Sequence, residues 1–477
     1  MSRKKKAKEI VENVLVEDMA AEGRCVCHIE SGVLFVTGAV PGDVVNVRID
    51  KKRSNYSEGT IVSYNSYSSM RIAPTCPHFG VCGGCVWQTI PYEKQTEYKE
   101  REVLNNLRRI GHLTLPEPTP ILPSLDTVRY RNKLEYTFSA YGYLTAEQLA
   151  DKTIEKKPAL GFHVPGLFDK VVDVRTCTLQ AEISDSIRNW IRQYAMENGL
   201  TFYDLRQRTG FLRNLTVRIS TTGDIMVIVA FAEERQEEMR ALLDTLHGKF
   251  PEVTSLLYVV NTKMNDTIGD LDVKCHSGAE YITERMGDIQ FRVGPKSFYQ
   301  TNSRQAQRLY DVVAKYAALT GSETVYDLYT GTGTIANYIA KKAKKVVGIE
   351  YVPEAIEDAK VNSEINGIKN TEFFARDMKD ILTVDFVKEH GLPDVMVVDP
   401  PRAGMHPDVV ATILEVSPKK IVYVSCNSAT QARDISMMSE AYQVEALQPV
   451  DMFPHTHHVE SVVYLTHREG RGESQSE

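Results

Sequence analysis

No apolar run in this sequence approaches the length of a membrane span; the best, Ile225–Ala232, is strand-sized. The lysine- and arginine-rich start, Met1–Lys8, is followed by no apolar core of a secretory signal. Both absences predict a cytoplasmic protein with no membrane partner. In that compartment disulfides are a poor use for the eight cysteines, which leaves burial, metal binding or catalysis. An excess of positive charge is missing as well. The formal net charge of −7 speaks against a nucleic-acid partner for the chain as a whole, although binding depends on local basic patches. What is present is ordinary: 42% apolar and 25% charged residues, as in globular proteins. At 477 residues the chain exceeds one core and should divide into two to four domains.

Residues 9–64 alternate apolar and polar positions in short runs, Val33–Val36, Val44–Ile49 and Thr60–Val62, with Pro41-Gly42-Asp43 as a tight turn. This spacing predicts a small closed barrel of OB type. The run FVTGAVPGDVVNVRI resembles the TRAM domain found on RNA-modifying enzymes, and Lys51, Lys52, Arg53 and the basic tail would supply phosphate contacts. Next come Cys76, Cys82 and Cys85 in CPHFGVCGGC, three thiols interleaved with glycines that let the chain wrap closely. The spacing C-x5-C-x2-C is neither the usual C-x2-C pairing of a zinc ribbon nor the C-x3-C-x2-C of radical enzymes. A fourth ligand is needed; Cys177 is the first candidate and His78 the second. Four thiols suit zinc and an iron–sulfur cluster equally on geometry.

Residues 92–110 read as an amphipathic helix stopped by Gly111, with 92–126 as helix and linker packing on the catalytic domain. In RYRNKLEYTFS, Arg129, Arg131 and Lys133 alternate on a strand pattern, as do Arg213 and Arg218 in FLRNLTVRIS. With Tyr130, Tyr136 and Phe138 between them, they form either a phosphate-gripping sheet with stacking rings or a core with a solvated basic face. The rest of 127–290 reads as α+β, with helices near 181–198 and 232–248.

From residue 291 the pattern becomes βαβα. Val325–Leu328 is a strand, Tyr329–Gly333 a glycine turn, Thr334–Lys342 a helix, and Val346–Ile349 a second strand ending at Glu350. An acid that close to 20 residues past the turn fits a ribose-binding carboxylate, but does not separate a nicotinamide cofactor from S-adenosylmethionine. A later strand, Asp394–Val398, leads into Asp399-Pro400-Pro401-Arg402. The two prolines fix a rigid extended backbone beside the cofactor. N-methylating enzymes follow such a turn with an aromatic ring; Arg402 stands there instead, which disfavours exocyclic-amine chemistry. No cysteine lies inside the turn either. The thiol comes on the next strand: Ile421–Val424 is a buried strand, Ala429–Met438 a helix, and Cys426 sits on the turn between them, where open α/β sheets place their ligands. A carboxylate, Glu460, opens the last strand in HHVESVVYL.

Taken together, PGDVV, CPHFGVCGGC, SFYQTN, DLYTGTG, GIEYVPEAIEDAKVN, DPPRAG, SCNSATQARD and HVE make the chain similar to the RNA uracil-C5 methyltransferases of the RumA/TrmA type. The resemblance implies a multidomain α/β protein. Residues 1–66 would form the TRAM barrel, 67–295 a central α+β domain with a four-cysteine cluster, and 296–477 a Rossmann-like class I methyltransferase domain. It implies Cys426 as nucleophile and Glu460 as the base that abstracts the C5 proton. Gln300, Tyr329, Glu350, Asp377 and Asp399 would hold S-adenosyl-L-methionine. Cys76, Cys82, Cys85 and Cys177 match a [4Fe–4S] ligand set, the reason to prefer iron–sulfur over zinc. The barrel and cysteines resemble the 23S ribosomal RNA branch, so the expected product is 5-methyluridine in ribosomal RNA, with no obligate protein partner. A transfer RNA substrate, or a non-catalytic RNA-binding protein on the same fold, are the rival readings. Free cysteine is mostly protonated at neutral pH, so the site is expected to favour the thiolate.

Overall fold

The computed structural model describes residues 9–468; the basic tail Met1–Lys8 lies outside them. Three large sheets follow one another along the chain. The first has six strands in the order Ile10–Leu15, Val44–Lys52, Tyr56–Ser66, Gly32–Val36, Cys25–Ile29 and Asp18–Met19. Its first edge strand, Ile10–Leu15, approaches Cys25–Ile29, the last strand but one at the other edge. The sheet thereby rolls around a core that includes Val14, Leu34, Val45 and Val47, with Cys25 and Cys27 buried among them. Alternation of buried and exposed residues along Val44–Lys52 is what one inward face requires.

The second sheet has seven strands in the order Lys274–Gly278, Ser255–Val260, Ile225–Phe231, Leu212–Ile219, Lys133–Ser139, Ala159–Val164 and Leu167–Asp173. Ile225–Phe231 is buried at every position, which explains its unbroken apolar sequence. Helices Glu182–Glu197 and Gln236–Lys249 lie close to the expected positions. The basic residues of this region do a different job from the one their alternation allowed. Arg213 is 1% exposed and donates to the carbonyls of Asn261, Lys263 and Asn265. Arg218, 4% exposed, donates to those of Gly294 and Ser297. Arg129 holds the carbonyls of Cys177 and Gln180. These guanidiniums satisfy buried backbone rather than phosphate. Tyr130, Tyr136 and Phe138 are buried, so they are core and not a stacking platform.

The third sheet runs Thr371–Ala375, Lys345–Glu350, Thr324–Leu328, Val395–Val398, Lys420–Ser425, Glu460–His467 and Tyr442–Val450. The first five are parallel, and Glu460–His467 is antiparallel to both its neighbours. The strand order reverses between Thr324–Leu328 and Val395–Val398, and a crevice for ligands opens at the carboxyl ends of such strands. Helix Tyr92–Arg109 packs on Ser428–Met438, with Asn106 donating to the Ser428 hydroxyl at 2.9 Å. Among the described residues no helix is long and apolar enough to cross a membrane.

Candidate active site

Four strand ends deliver the polar side chains of this crevice. Tyr329 follows Leu328, Asp399 follows Val398, and Cys426 follows Ser425 on parallel strands. Glu460 begins the antiparallel strand, and the register that pairs Ser425 with Ser461 sets it beside Cys426. All four, with Gln300, Glu350, Tyr351, Phe298, Arg402 and Phe453, line one cavity of about 840 Å³. Asp377 does not. It caps the short helix Met378–Ile381 and lines a neighbouring recess that shares Tyr351 with the main cavity.

The turn after Leu328 is tightly built. Tyr329 takes φ 64° and Gly333 φ 72°, and a Cβ on Gly333 would meet Ala359 Cβ at 2.8 Å, so only glycine lets the following helix approach. Glu350 anchors the turn, accepting from Gly331 N at 3.2 Å and from Tyr351 N at 2.8 Å. Asn427 ties the thiol's turn to the proline turn. Its side chain accepts from Ala429 N at 3.1 Å to cap the helix and donates to Arg402 O at 3.1 Å.

The electrostatics of these side chains oppose ionisation of the thiol. Burial, then the carboxylates of Glu460 and Asp399, push Cys426 up to about 11, with Arg402 pulling the other way. The expectation of a site that favours thiolate is therefore not met here. The sequence shows the cysteine and both carboxylates, but not that the carboxylates come close enough to oppose the thiolate. Burial and Asp399 push Glu460, only 5% exposed, up to about 8. Burial and Asp327 push Asp399 up to about 7. Arg402, which in the sequence marked only a missing aromatic ring, is thus the cation felt by both Cys426 and Glu460. Two further side chains went unnoticed: Phe298 and Tyr351, 69% and 70% exposed, are aromatic rings that line the cavity.

The chain matches the tRNA (Uracil-5-)-methyltransferase family over residues 219–468 and the TRAM domain over 10–62. It belongs to that methyltransferase family. An uncharacterized RNA methyltransferase of Bacteroides thetaiotaomicron is 54% identical over 451 residues, 94% of this chain and 99% of the relative. One from Chlorobaculum tepidum is 39% identical over 462 residues, 95% of each. Among solved structures, the tRNA (uracil-54, C5)-methyltransferase of Pyrococcus abyssi, in complex with S-adenosyl-L-homocysteine, aligns with TM-score 0.74 at 27% identity. It covers 95% of this chain and 99% of its own.

Cys76, Cys82, Cys85 and Cys177 line a second cavity of about 340 Å³, together with Arg131 and Lys133. All four thiols are free. Burial pushes Cys82 up to about 11 and Cys85 to about 12, and raises Cys177. The cysteines converge, but among the described residues no group of three or more Cys, His, Asp or Glu side chains is gathered as a metal site. His78 is committed elsewhere, its Nε2 accepting from Arg175 N at 3.2 Å, so it is a poor alternative ligand.

Proposed function

We propose that this methyltransferase transfers a methyl group from S-adenosyl-L-methionine to uracil C5 in 23S ribosomal RNA through a covalent bond between Cys426 and uracil C6. The observation that carries the proposal is the meeting of Cys426, Glu460 and Asp399 in one cavity with Glu350, Gln300 and Tyr329. Uracil C5 is too weak a nucleophile to take a methyl group unaided. Sulfur adding to C6 converts the ring to an enolate with electron density at C5. S-Adenosyl-L-methionine supplies an electrophilic methyl group on a sulfonium cation. Gln300, Tyr329, Glu350 and Asp399 would hold it, with Asp377 reaching from the adjoining recess, and Asp399 would also read the uracil edge. Glu460 then removes the C5 proton, C5=C6 re-forms and the Cys426 sulfur leaves. The target base must be flipped out of its stack, which suits a uridine in a loop or single strand. The barrel would position the RNA, with Arg131 and Lys133 at the start of the strand Lys133–Ser139 as the basic residues of the central domain that could assist it. Eight unpaired thiols and an RNA substrate fit a cytoplasmic setting.

Transfer RNA is the second reading, favoured by the whole-length likeness to an archaeal enzyme named for uracil 54 of tRNA. Incubating unmodified 23S and transfer RNAs with enzyme and labelled cofactor, then mapping 5-methyluridine by mass spectrometry, decides between them. Methylation of transfer RNA alone would overturn the ribosomal reading, and methylation of neither would overturn both.

Arg402→Gln removes the cation that lowers both Cys426 and Glu460. Adduct formation needs the thiolate, and with Cys426 near 11 its rate should climb with pH from neutrality upward. The variant should be about tenfold slower at neutral pH, one pKa unit being tenfold in thiolate, with its profile displaced to higher pH. Superimposable profiles would show that the sulfur does not feel Arg402.

We also propose that Cys76, Cys82, Cys85 and Cys177 hold a [4Fe–4S] cluster, with zinc as the lesser candidate. Four thiols around one cavity are a suitable donor set, and the cluster would be structural, closing the loop 76–85 onto the central sheet. Protein purified without oxygen should be brown, with about four irons and matching sulfide. Cys177→Ser should lose both, and colourless zinc-loaded protein would contradict the assignment.

A further inference from the structure

Residues 451–459 join the strand Tyr442–Val450 to the strand that Glu460 opens. Four consecutive carbonyls of this loop are held from outside it. Met452 O accepts from Asn302 Nδ2 at 3.0 Å, and Phe453 O from Lys99 Nζ at 3.0 Å. Pro454 O accepts from the Tyr130 hydroxyl at 3.1 Å, and His455 O from Val86 N at 2.9 Å and Trp87 N at 3.0 Å. Gln95 adds its Oε1 to His455 N at 2.8 Å while its amide donates to the carbonyls of Trp87 and Ile90. His455 itself sits at φ 66°, a conformation that residues with a Cβ seldom take, so the loop is held against its own preference.

Lys99 stands at the centre. Its Nζ lies 2.6 Å from Asp451 Oδ1, with both side chains fully buried, and the Tyr92 hydroxyl donates to Oδ2 at 2.8 Å. Apolar residues can usually replace such a pair without loss of stability, so stability is a weak reason for it. Geometry is a better one. Phe453, whose carbonyl Lys99 holds, lines the cavity with Cys426 and Glu460. The other reacting groups need no such help. Cys426 and Asp399 follow strands of the parallel run, whereas Glu460, though paired with Val450, opens its strand directly after the loop and takes its approach from it.

We propose that Lys99 is a positioning residue for Glu460, acting through a clamp built from residues 86–130 that fixes the loop 451–459. The inference rests on the reading of Glu460 as the base. In that step the C5–H bond breaks, its electron pair forms C5=C6, the C6–S bond breaks with its pair on sulfur, and the proton stays on Glu460. Attack by Cys426 and methyl transfer come earlier and do not use the clamp. A displaced base should therefore slow only the closing half of the reaction.

The test is the double variant Lys99→Met/Asp451→Leu, which removes the pair without stranding a buried charge. RNA carrying 5-fluorouracil stops after methyl transfer, because C5 then bears fluorine in place of the proton a base would remove and fluorine cannot leave as a cation, and so measures the first half alone. The variant should form that adduct at the wild-type rate. Its turnover on uracil RNA should fall about 100-fold, the scale of a misplacement of an ångström, with KM unchanged and unresolved adduct accumulating. Parallel loss of both rates, or unchanged turnover, would overturn the proposal. If the double variant does not fold, Tyr130→Phe, which deletes one hydroxyl, should show the same selective loss at about tenfold; equal loss of both rates or no loss counts against the clamp. Wild-type protein that forms no fluorouracil adduct would instead sink the reading of Cys426, a different failure.

Discussion

Cys426→Ala is expected to abolish methylation while leaving the fold and cofactor binding intact. Cys426 is half-buried on a strand-to-helix turn whose shape comes from the Asn427 cap and the Ser425 hydroxyl, not from the thiol. Alanine therefore removes the sulfur and little else. Without covalent addition at C6, C5 stays a poor nucleophile. The rate should fall by about 10⁴-fold or more, a loss in keeping with removal of the nucleophile from a covalent mechanism. Labelled methyl transfer to RNA measures the loss, and calorimetry with S-adenosyl-L-homocysteine checks that the cavity still binds. A variant retaining even a hundredth of the wild-type rate would mean that methylation proceeds without Cys426.

Glu460→Gln is expected to stop the reaction at a different point. Glutamine keeps the size and loses the ability to accept a proton. The sulfur should still add and the methyl group still transfer, but the C5 proton has no acceptor. Turnover should fall by about 10²- to 10⁴-fold, the range general base catalysis covers, and a protein–RNA species should build up on ordinary uracil RNA. With Glu460 raised to about 8, the wild-type base is increasingly carboxylate as pH rises through that value, so the neutral variant should lose this limb of the pH profile. Denaturing gels resolve the species. Wild-type turnover by Glu460→Gln would exclude it as the base.

Several strands of the C-terminal half were legible because a buried parallel strand is a nearly unbroken apolar run that leads into a chemically distinctive residue. That is how Asp399 and Cys426 can be picked out before any fold is seen, while Glu460 opens the last, antiparallel strand. What covers a face is not legible in the same way. The alternation of Arg213 and Arg218 says that both point to one side, but not that loops 261–266 and 294–297 close over them and supply carbonyls. Asp377 was placed in the cofactor set by resemblance, and the path of the chain after Ala375 puts it in a recess next door. Lys99 was invisible for another reason. In the charged run YEKQTEYKERE it reads as a solvated lysine, and its partner Asp451 is 352 residues away. The high pKa of Cys426 has the same origin, since the charges that raise it arrive on strands distant in sequence.

Methylation by this route requires a sulfur–carbon bond, and peptide mapping observes that bond. Enzyme incubated with S-adenosyl-L-methionine and 5-fluorouracil RNA, then digested with protease and nuclease, should give one modified peptide. Tandem mass spectrometry should place a methylated fluorouridine on Cys426. If the uracil C5 of normal RNA is methylated while the Cys426 peptide stays unmodified, or the adduct lies on another cysteine, the mechanism proposed here is wrong.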